Sequence, residues 1–380
     1  MDKNITKSFM TFKSGKFVFS STYDEEKVKP LLSEAQILYE TIKDLPILPN
    51  MAARLEEELI RRSIFGTAAL EGSPLTEERV AEIVSSSEYT GKTKKAEKEI
   101  LNLKNVYGLI KVLPEGTSSF LLGEDLIKNI HGIITKDLED KHNTPGKYRS
   151  GIVYVGDEGH GGRYTPPKIL DDINNLMKEY TEWINCEDIK NLSPIIRAAL
   201  AHYHFGLIHP FGDGNGRTAR VIEALVLSAA GIKYIPVMLS NFYYKNMDDY
   251  YWAFSKSIKN KENDLTPFLE FVLNGFIEEL KTIKEKIIHL IRILTFRDYI
   301  YFLKKSRKLK QRQFDLLTIV LESNLFTFNF EDVLENPQFG FLYRKVSART
   351  AKRDLENLCN QKILLLTEEK KYQLNFKILG

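Results

Sequence analysis

Thirteen residues from Ile208 to Arg220, I-H-P-F-G-D-G-N-G-R-T-A-R, hold a histidine, a carboxylate, three glycines, an asparagine and two arginines. Each type has a chemical use at this spacing. His209 can take a proton near neutral pH. Asp213 offers a hard oxygen ligand suited to Mg²⁺, which usually binds one or two carboxylates together with substrate phosphates. Gly212, Gly214 and Gly216 let the backbone come close to a ligand. Asn215 can donate to a phosphate oxygen. Arg217 and Arg220, three apart, would meet on one helical turn and grip phosphate oxygens. Together they describe a nucleotide phosphate site with a base beside it. The competing reading is a glycine-rich turn closed by a structural His–Asp pair, with the arginines solvated.

Two flanking segments must position these groups. Leu192–Gly206 and Thr218–Ala230 both carry apolar residues at helical spacing. The motif is therefore a polar loop between two buried helices, and it opens the second. A helix N-terminus presents unpaired N–H groups and a positive dipole end, so it favours anions.

His209 to Arg220 matches the Fic-domain motif H-x-F-x-[DE]-G-N-G-R-x-x-R at every defined position. The chain thus resembles Fic enzymes, which with this motif form transfer AMP from ATP to a Ser, Thr or Tyr hydroxyl of a protein. The resemblance implies a mainly α, helical Fic fold using ATP and Mg²⁺. His209 would be the base and Asp213 the metal ligand. Gly214, Asn215, Gly216 and Arg217 would hold the phosphates, and Arg220 the γ-phosphate. Self-association and a protein target, with modification of the chain itself, are also implied.

The same resemblance gives meaning to T-A-A-L-E-G, Thr67–Gly72, at the end of a helix expected over about 51–70. It is similar to the family's inhibitory pattern [ST]-x-x-x-E-[GN]. Glu71 would pair with Arg220 and displace the ATP phosphates from an in-line geometry. Without the resemblance, Glu71 is a solvent-facing carboxylate placed unfavourably against a helix dipole. Gly72 and Pro74 are natural stop signals there.

Composition sets the outer bounds. The chain has 380 residues, 43% hydrophobic and 28% charged, with net charge +3, which fits a globular protein of two or three domains. Two distant cysteines, Cys186 and Cys359, fit neither a disulfide framework nor a cysteine zinc site. With no apolar leader and no spanning run, a cytoplasmic protein without membrane contact is expected. The Lys run in 91–98 reads as a solvated connector.

Pro145–Pro167 breaks the helical pattern. Its V-Y-V, the glycine-rich turn 156–162 and R-Y-T-P-P read as a β-hairpin. In Fic proteins a hairpin flap in this place aligns the target segment by strand pairing. His160 reads as a turn residue and His131 as a core histidine. His202 and His204, two apart, point to different helix faces, which argues against a zinc site. In Tyr234–Phe254, the resemblance assigns Asn246, Tyr250 and Tyr251 to the adenine and ribose side, although Met247 replaces the family's usual arginine. Core packing would also explain many of these rings.

The last part reads as a separate module. Helices at about 311–322 and 330–335 precede Lys345–Leu364, where Ser347 is an N-cap, Leu355 and Leu358 face a core, and Arg349, Lys352 and Arg353 lie outside. A hairpin follows over 364–374. This resembles a winged helix, with possible DNA contact through 345–374. From Phe296 onward 16 basic residues stand against 10 acidic ones, a modest excess. The expected organisation is an N-terminal helical region with the inhibitory motif (1–95), a Fic core (96–280), a helical linker (281–305) and a C-terminal winged-helix domain (306–380). The expected activity is protein AMP transfer restrained by Glu71. Removal of AMP by the same site, and a DNA-binding regulator that only senses nucleotide, stand as alternatives.

Overall fold

The computed structural model describes residues 5–86, 94–112, 120–138, 142–234, 236, 238–260, 262–323 and 325–380. Part of the expected connector, residues 91–93, lies outside them. The chain divides into two units, Met1–Leu45 with Pro49–Ile283, and Pro46–Leu48 with Lys284–Gly380.

The first unit opens on an antiparallel hairpin, β1 (Thr6–Met10) and β2 (Lys16–Ser20). Its signal is the alternation K-F-V-F-S, which buries Phe17 and Phe19 on one face. Among the described residues eleven helices follow in order: α1 (Glu25–Lys43), α2 (Pro49–Leu70), α3 (Glu77–Ser85), α4 (Lys95–Val112), α5 (Glu124–Ile134), α6 (Leu170–Ile184), α7 (Glu187–Lys190), α8 (Pro194–Ile208), α9 (Asn215–Ala229), α10 (Leu239–Lys245) and α11 (Met247–Lys259). Then α12 (Thr266–Lys305) runs on into the second unit's residues. The fold is mainly α-helical, as expected.

At the centre of the first unit α8 packs along α9. Ser193 precedes Pro194 at the start of α8, where a missing N–H costs nothing. The helix is then buried nearly all round, from Ile195 to Phe205, as a helix apolar on every face must be. Helix α9 is just as buried, yet it carries Arg217, Arg220 and Glu223 at 3% exposure or less. Three charges withdrawn from water at the heart of a domain demand partners. Helix α2 reaches this centre by lying close against α10. A Cβ on Gly66 would sit 2.8 Å from Asn241 Cα and from the Ser240 carbonyl, so glycine is what permits the approach.

The expected hairpin at Pro145–Pro167 is reduced to one bridge. Val155 and Tyr164 exchange two backbone hydrogen bonds, at 2.9 and 2.7 Å. Between them the chain makes a short 3₁₀ turn at Glu158–His160, with Gly156, Gly161 and Gly162 at positive φ. Three glycines in left-handed conformations leave too few extended residues for a ladder.

The second unit contains the rest of α12, α13 (Gln311–Glu322), β3 (Thr327–Phe328), α14 (Phe330–Glu335), α15 (Pro337–Tyr343), α16 (Ala348–Asn360), β4 (Leu364–Leu366) and β5 (Tyr372–Leu374). Its sheet has the order β3-β5-β4, antiparallel throughout. Phe296, Ile300, Leu316, Phe339, Leu355 and Leu358 form its core. Ser347 caps α16 by accepting from the Thr350 N–H at 3.3 Å, and Arg349, Lys352 and Arg353 are exposed. Asp354, 1% exposed, accepts from Arg312 at 2.6 Å. That pair ties α16 to α13.

Candidate active site

The turn from α8 into α9 begins at His209, which takes the left-handed conformation (φ 48, ψ 59) and caps α8. A non-glycine residue there costs roughly 1–2 kcal/mol, so the surroundings must hold it. The backbone N–H of Arg149 donates to the Pro210 carbonyl at 2.9 Å. Asn215 folds back on the loop: its amide oxygen accepts from the Phe211 N–H and its NH₂ donates to the Phe211 carbonyl, both at 2.9 Å. This departs from the expected role. The Asn215 side chain closes the turn, which leaves the backbone N–H at the start of α9 as its means of meeting a phosphate.

Phe211 stacks face to face on His131, with centroids 3.6 Å apart. Both nitrogens of His131 are engaged. Nδ1 accepts from the Gly146 N–H at 3.0 Å, so Nε2–H donates to the Asp213 carbonyl at 2.9 Å. Burial holds this ring near pKa 4, hence neutral at pH 7. The expected core histidine is thus a strut beneath the loop. Gly214 follows with φ 76 as the N-cap of α9, a conformation in which an L side chain is strained.

His209 lines a cavity of about 360 Å³ together with Glu71, Asn215, Gly216, Arg220, Tyr250 and Tyr251. Its Nδ1 faces the Gly206 carbonyl at 3.3 Å. A carbonyl only accepts, so Nδ1 carries the proton and Nε2 is left as the basic atom. Burial pulls the pKa of His209 down to about 4, and Arg149 adds to the effect against the Gly206 hydrogen bond. The ring is neutral at physiological pH, the state a general base requires.

Arg220 points its guanidinium at α2. Nη2 donates to Glu71 at 2.6 Å, Nε to the Thr67 hydroxyl at 2.6 Å, and Nη2 also to the Thr67 carbonyl at 3.2 Å. Its side chain is 2% exposed against 30% for Glu71. A Cβ at position 216 would fall against the Glu71 carboxylate and the Arg220 guanidinium, so a side chain there would push this pair aside. Thr67 carries two of the three bonds to Arg220. Its threonine type within T-x-x-x-E-G was the available signal for that role.

Arg217 turns the other way. It meets Asp213 at 2.9 Å and Glu99 of α4 at 3.2 Å, and neither Asp213 nor Arg217 lines the cavity. The two arginines therefore do not grip one anion together, because residues three apart on α9 have been drawn to carboxylates on opposite sides. Burial alone would raise the Asp213 pKa, but Arg217 and the Gly214 N–H outweigh it and hold the carboxyl below its ordinary value. An ionised, partly exposed carboxylate suits a hard cation. Among the described residues no three His, Cys, Asp or Glu side chains group as a metal cage. The donor set thus fits Mg²⁺ that arrives with phosphate oxygens and water.

The aromatic wall is held from behind. The Tyr250 hydroxyl lies 3.0 Å from His202 Nε2, His202 Nδ1 lies 3.2 Å from Glu223, and Tyr243 donates to Glu223 at 2.8 Å. His202 and His204 are each 1% exposed. Tyr250 and Tyr251 line the cavity. Asn246 does not: it sits at the α10–α11 junction, its NH₂ on the Phe242 carbonyl at 3.0 Å, and faces a separate depression. His160 is more than a turn residue. Its ring bridges Asp157 at 3.0 Å and Asp248 of α11 at 3.1 Å, and it lines the cavity. Arg149, 5% exposed, was not singled out by sequence and lies directly behind the turn.

Residues 121–227 match the family model described as the Fic/DOC family. A protein adenylyltransferase Fic of Nematostella vectensis is 30% identical over 228 residues, 58% of this chain and 47% of its own length. Its namesake in Drosophila mojavensis is 39% identical over 127 residues, 33% of this chain and 22% of its own length. The chain thus spans about half or less of these curated relatives. A solved Fic family protein from Desulfovibrio desulfuricans G20 superposes with a TM-score of 0.56 over 92% of this chain and 95% of its own, at 20% identity. A fragment of Fic-1 from C. elegans superposes with a TM-score of 0.56 over 69% of this chain and 73% of its own, at 22% identity. These likenesses establish the fold. Among the described residues no helix is long and apolar enough to cross a membrane.

Proposed function

From a chain whose residues 121–227 match the Fic/DOC family model, we propose a protein adenylyltransferase that moves AMP from ATP to a Ser, Thr or Tyr hydroxyl and is restrained by Glu71. One observation carries the reading: a neutral His209 with Nε2 as its basic atom shares a cavity with the N-terminus of α9 and with an Arg220 already held by Glu71. His209 Nε2 takes the proton of the attacking hydroxyl. The hydroxyl oxygen bonds to the α-phosphorus, and the bond from that phosphorus to the bridging oxygen breaks, releasing pyrophosphate. The backbone N–H groups of residues 215 and 216 receive phosphate oxygens at the helix N-terminus. Asp213 would hold Mg²⁺, which neutralises phosphate charge when bound. Tyr250 and Tyr251 wall the nucleoside side. In the resting state Glu71 occupies Arg220, so the γ-phosphate has no anchor and the nucleotide is not aligned.

ATP labelled at the α- or γ-phosphate tests this directly. In a Glu71→Gly background, protein should take up α-label and no γ-label, and adding His209→Ala should abolish uptake while ATP still binds. Uptake of γ-label, or uptake that survives His209→Ala, would refute it.

A second reading has its own support. Glu71 lines the same cavity as His209, so its carboxylate could orient a water that hydrolyses an AMP–protein ester. Loss of AMP release from a modified protein in Glu71→Gly would favour it. For the second unit we propose a winged helix whose exposed Arg349, Lys352 and Arg353 meet a partner. A salt-dependent gel shift that Arg349→Ala/Arg353→Ala removes would identify that partner as DNA.

A further inference from the structure

We propose that Arg149 is a positioning residue that fixes the His209 turn and fastens both legs of the 151–167 flap to it. This rests on the AMP-transfer reading for its consequence, though not for its geometry.

All four side-chain hydrogen bonds of Arg149 end on backbone carbonyls. Nε donates to His209 at 2.8 Å, Nη1 to Gly151 at 2.7 Å, and Nη2 to Pro167 at 2.8 Å and Ile208 at 3.5 Å. With its own N–H on the Pro210 carbonyl at 2.9 Å, this one residue holds three successive carbonyls, 208 to 210. Gly151 and Pro167 stand at the two ends of the flap, outside the Val155–Tyr164 bridge. A planar guanidinium with five fixed donors can span these directions at once, whereas a lysine ammonium cannot.

The placement also answers two needs. The carbonyls of Ile208 and His209 lie at the C-terminal end of α8, where the helix dipole is negative and a buried cation is favoured. Burial lowers the Arg149 pKa to about 10, so the group still keeps its charge at neutral pH. His209 sits in a left-handed conformation that it would not hold unaided, and its carbonyl direction is set by Arg149 Nε. The flap supplies Gly156, His160 and Tyr164 to the cavity. Arg149 therefore couples the base and the cavity's lid through backbone alone, without touching substrate.

The test places Arg149→Ala and Arg149→Lys in the Glu71→Gly protein. Nucleotide binding uses Arg220, the α9 N-terminus and the tyrosine wall, none of which Arg149 contacts. The dissociation constant for ATP should stay within about threefold while kcat falls about 100-fold, the scale of a misplaced reacting group. Methylguanidinium should restore about tenfold or more of the Arg149→Ala rate, and Arg149→Lys should not recover it, since a point charge cannot replace a fork. Amide exchange reads the same tie without any activity. The Val155 and Tyr164 amides should exchange about tenfold faster in either variant, with the β1–β2 hairpin unchanged. If the parent transfers no AMP, the functional reading fails while exchange still decides the role of Arg149. Unchanged flap exchange, an unchanged kcat, or a loss of ATP affinity matching the loss of kcat would overturn the proposal. Should Arg149→Ala not fold, Arg149→Lys alone carries the same three readouts.

Discussion

Removing the Glu71 carboxylate should strengthen binding of nucleotides that carry a γ-phosphate and leave AMP untouched. In the resting protein the Nε and Nη2 donors of Arg220 are engaged, by Glu71 through one 2.6 Å bond and by Thr67 through two more. A γ-phosphate that takes the Nη2 edge of the guanidinium must displace Glu71, since Thr67 holds Nε. The energy at stake is that of a charge-assisted hydrogen bond, about 1.5–3 kcal/mol. At 1.4 kcal/mol per decade this corresponds to about 10- to 150-fold in affinity. The upper half is favoured by the Arg220 side chain, 2% exposed, and the lower by Glu71, which keeps 30% of its side chain in solvent. Thr67 preserves the arginine's direction in the variant, so little is lost to disorder.

Calorimetric titration of wild type, Glu71→Gln and Glu71→Gly with ATP, ADP and AMP in Mg²⁺ measures this, with α-label uptake run beside it. Glu71→Gln keeps a hydrogen bond without the charge and should fall between the other two. Glycine at 71 adds backbone freedom worth up to about 1 kcal/mol, so a urea midpoint should confirm that the fold persists. Equal gains for ATP and AMP would mean that Glu71 blocks the cavity sterically or through general charge. No gain for ATP would mean that Arg220 is not the γ-phosphate anchor. Either result refutes the pairing argument.

Acid should weaken the fold before it weakens the base. His131 and His204 are buried with pKa values of about 4, both through burial, while an unfolded histidine titrates near 6.5. The unfolded chain thus takes up protons first as pH falls, so stability is full above about 6.5 and declines towards 4. Each of the two should cost about 1–2 kcal/mol by pH 5; urea midpoints at pH 7 and 5 check this, and His204→Gln should flatten the slope. Transfer by Glu71→Gly should hold its rate down to about pH 5, because His209 also titrates near 4; an acidic limb at 6.5 in the pH–rate profile would contradict it. Gly66→Ala should destabilise by about 1–3 kcal/mol through overpacking, since its Cβ meets the α10 backbone. By shifting α2, just past whose end Glu71 lies, it should also raise basal α-label uptake.

The turn was legible because its residues are forced by local geometry. A glycine at positive φ, a glycine under the Glu71 carboxylate and a histidine ending an apolar helix each leave their mark at the position that needs them. What escaped was the rest of the partnership. The Glu71–Arg220 pair was expected from the resemblance, but nothing in the three-residue spacing says that Glu99 and Asp213 draw Arg217 while Thr67 joins Glu71 on Arg220. That choice is made by α4 and α2, more than a hundred residues upstream. The flap shows the converse error, for V-Y-V and R-Y-T have strand propensity, yet three left-handed glycines between them leave room for one bridge. Arg149 escaped for a further reason. A side chain whose partners are all backbone carbonyls needs no complementary residue type, so no second letter in the sequence answers to it. Only its burial beside a strained histidine discloses that the base and the lid hang from one guanidinium.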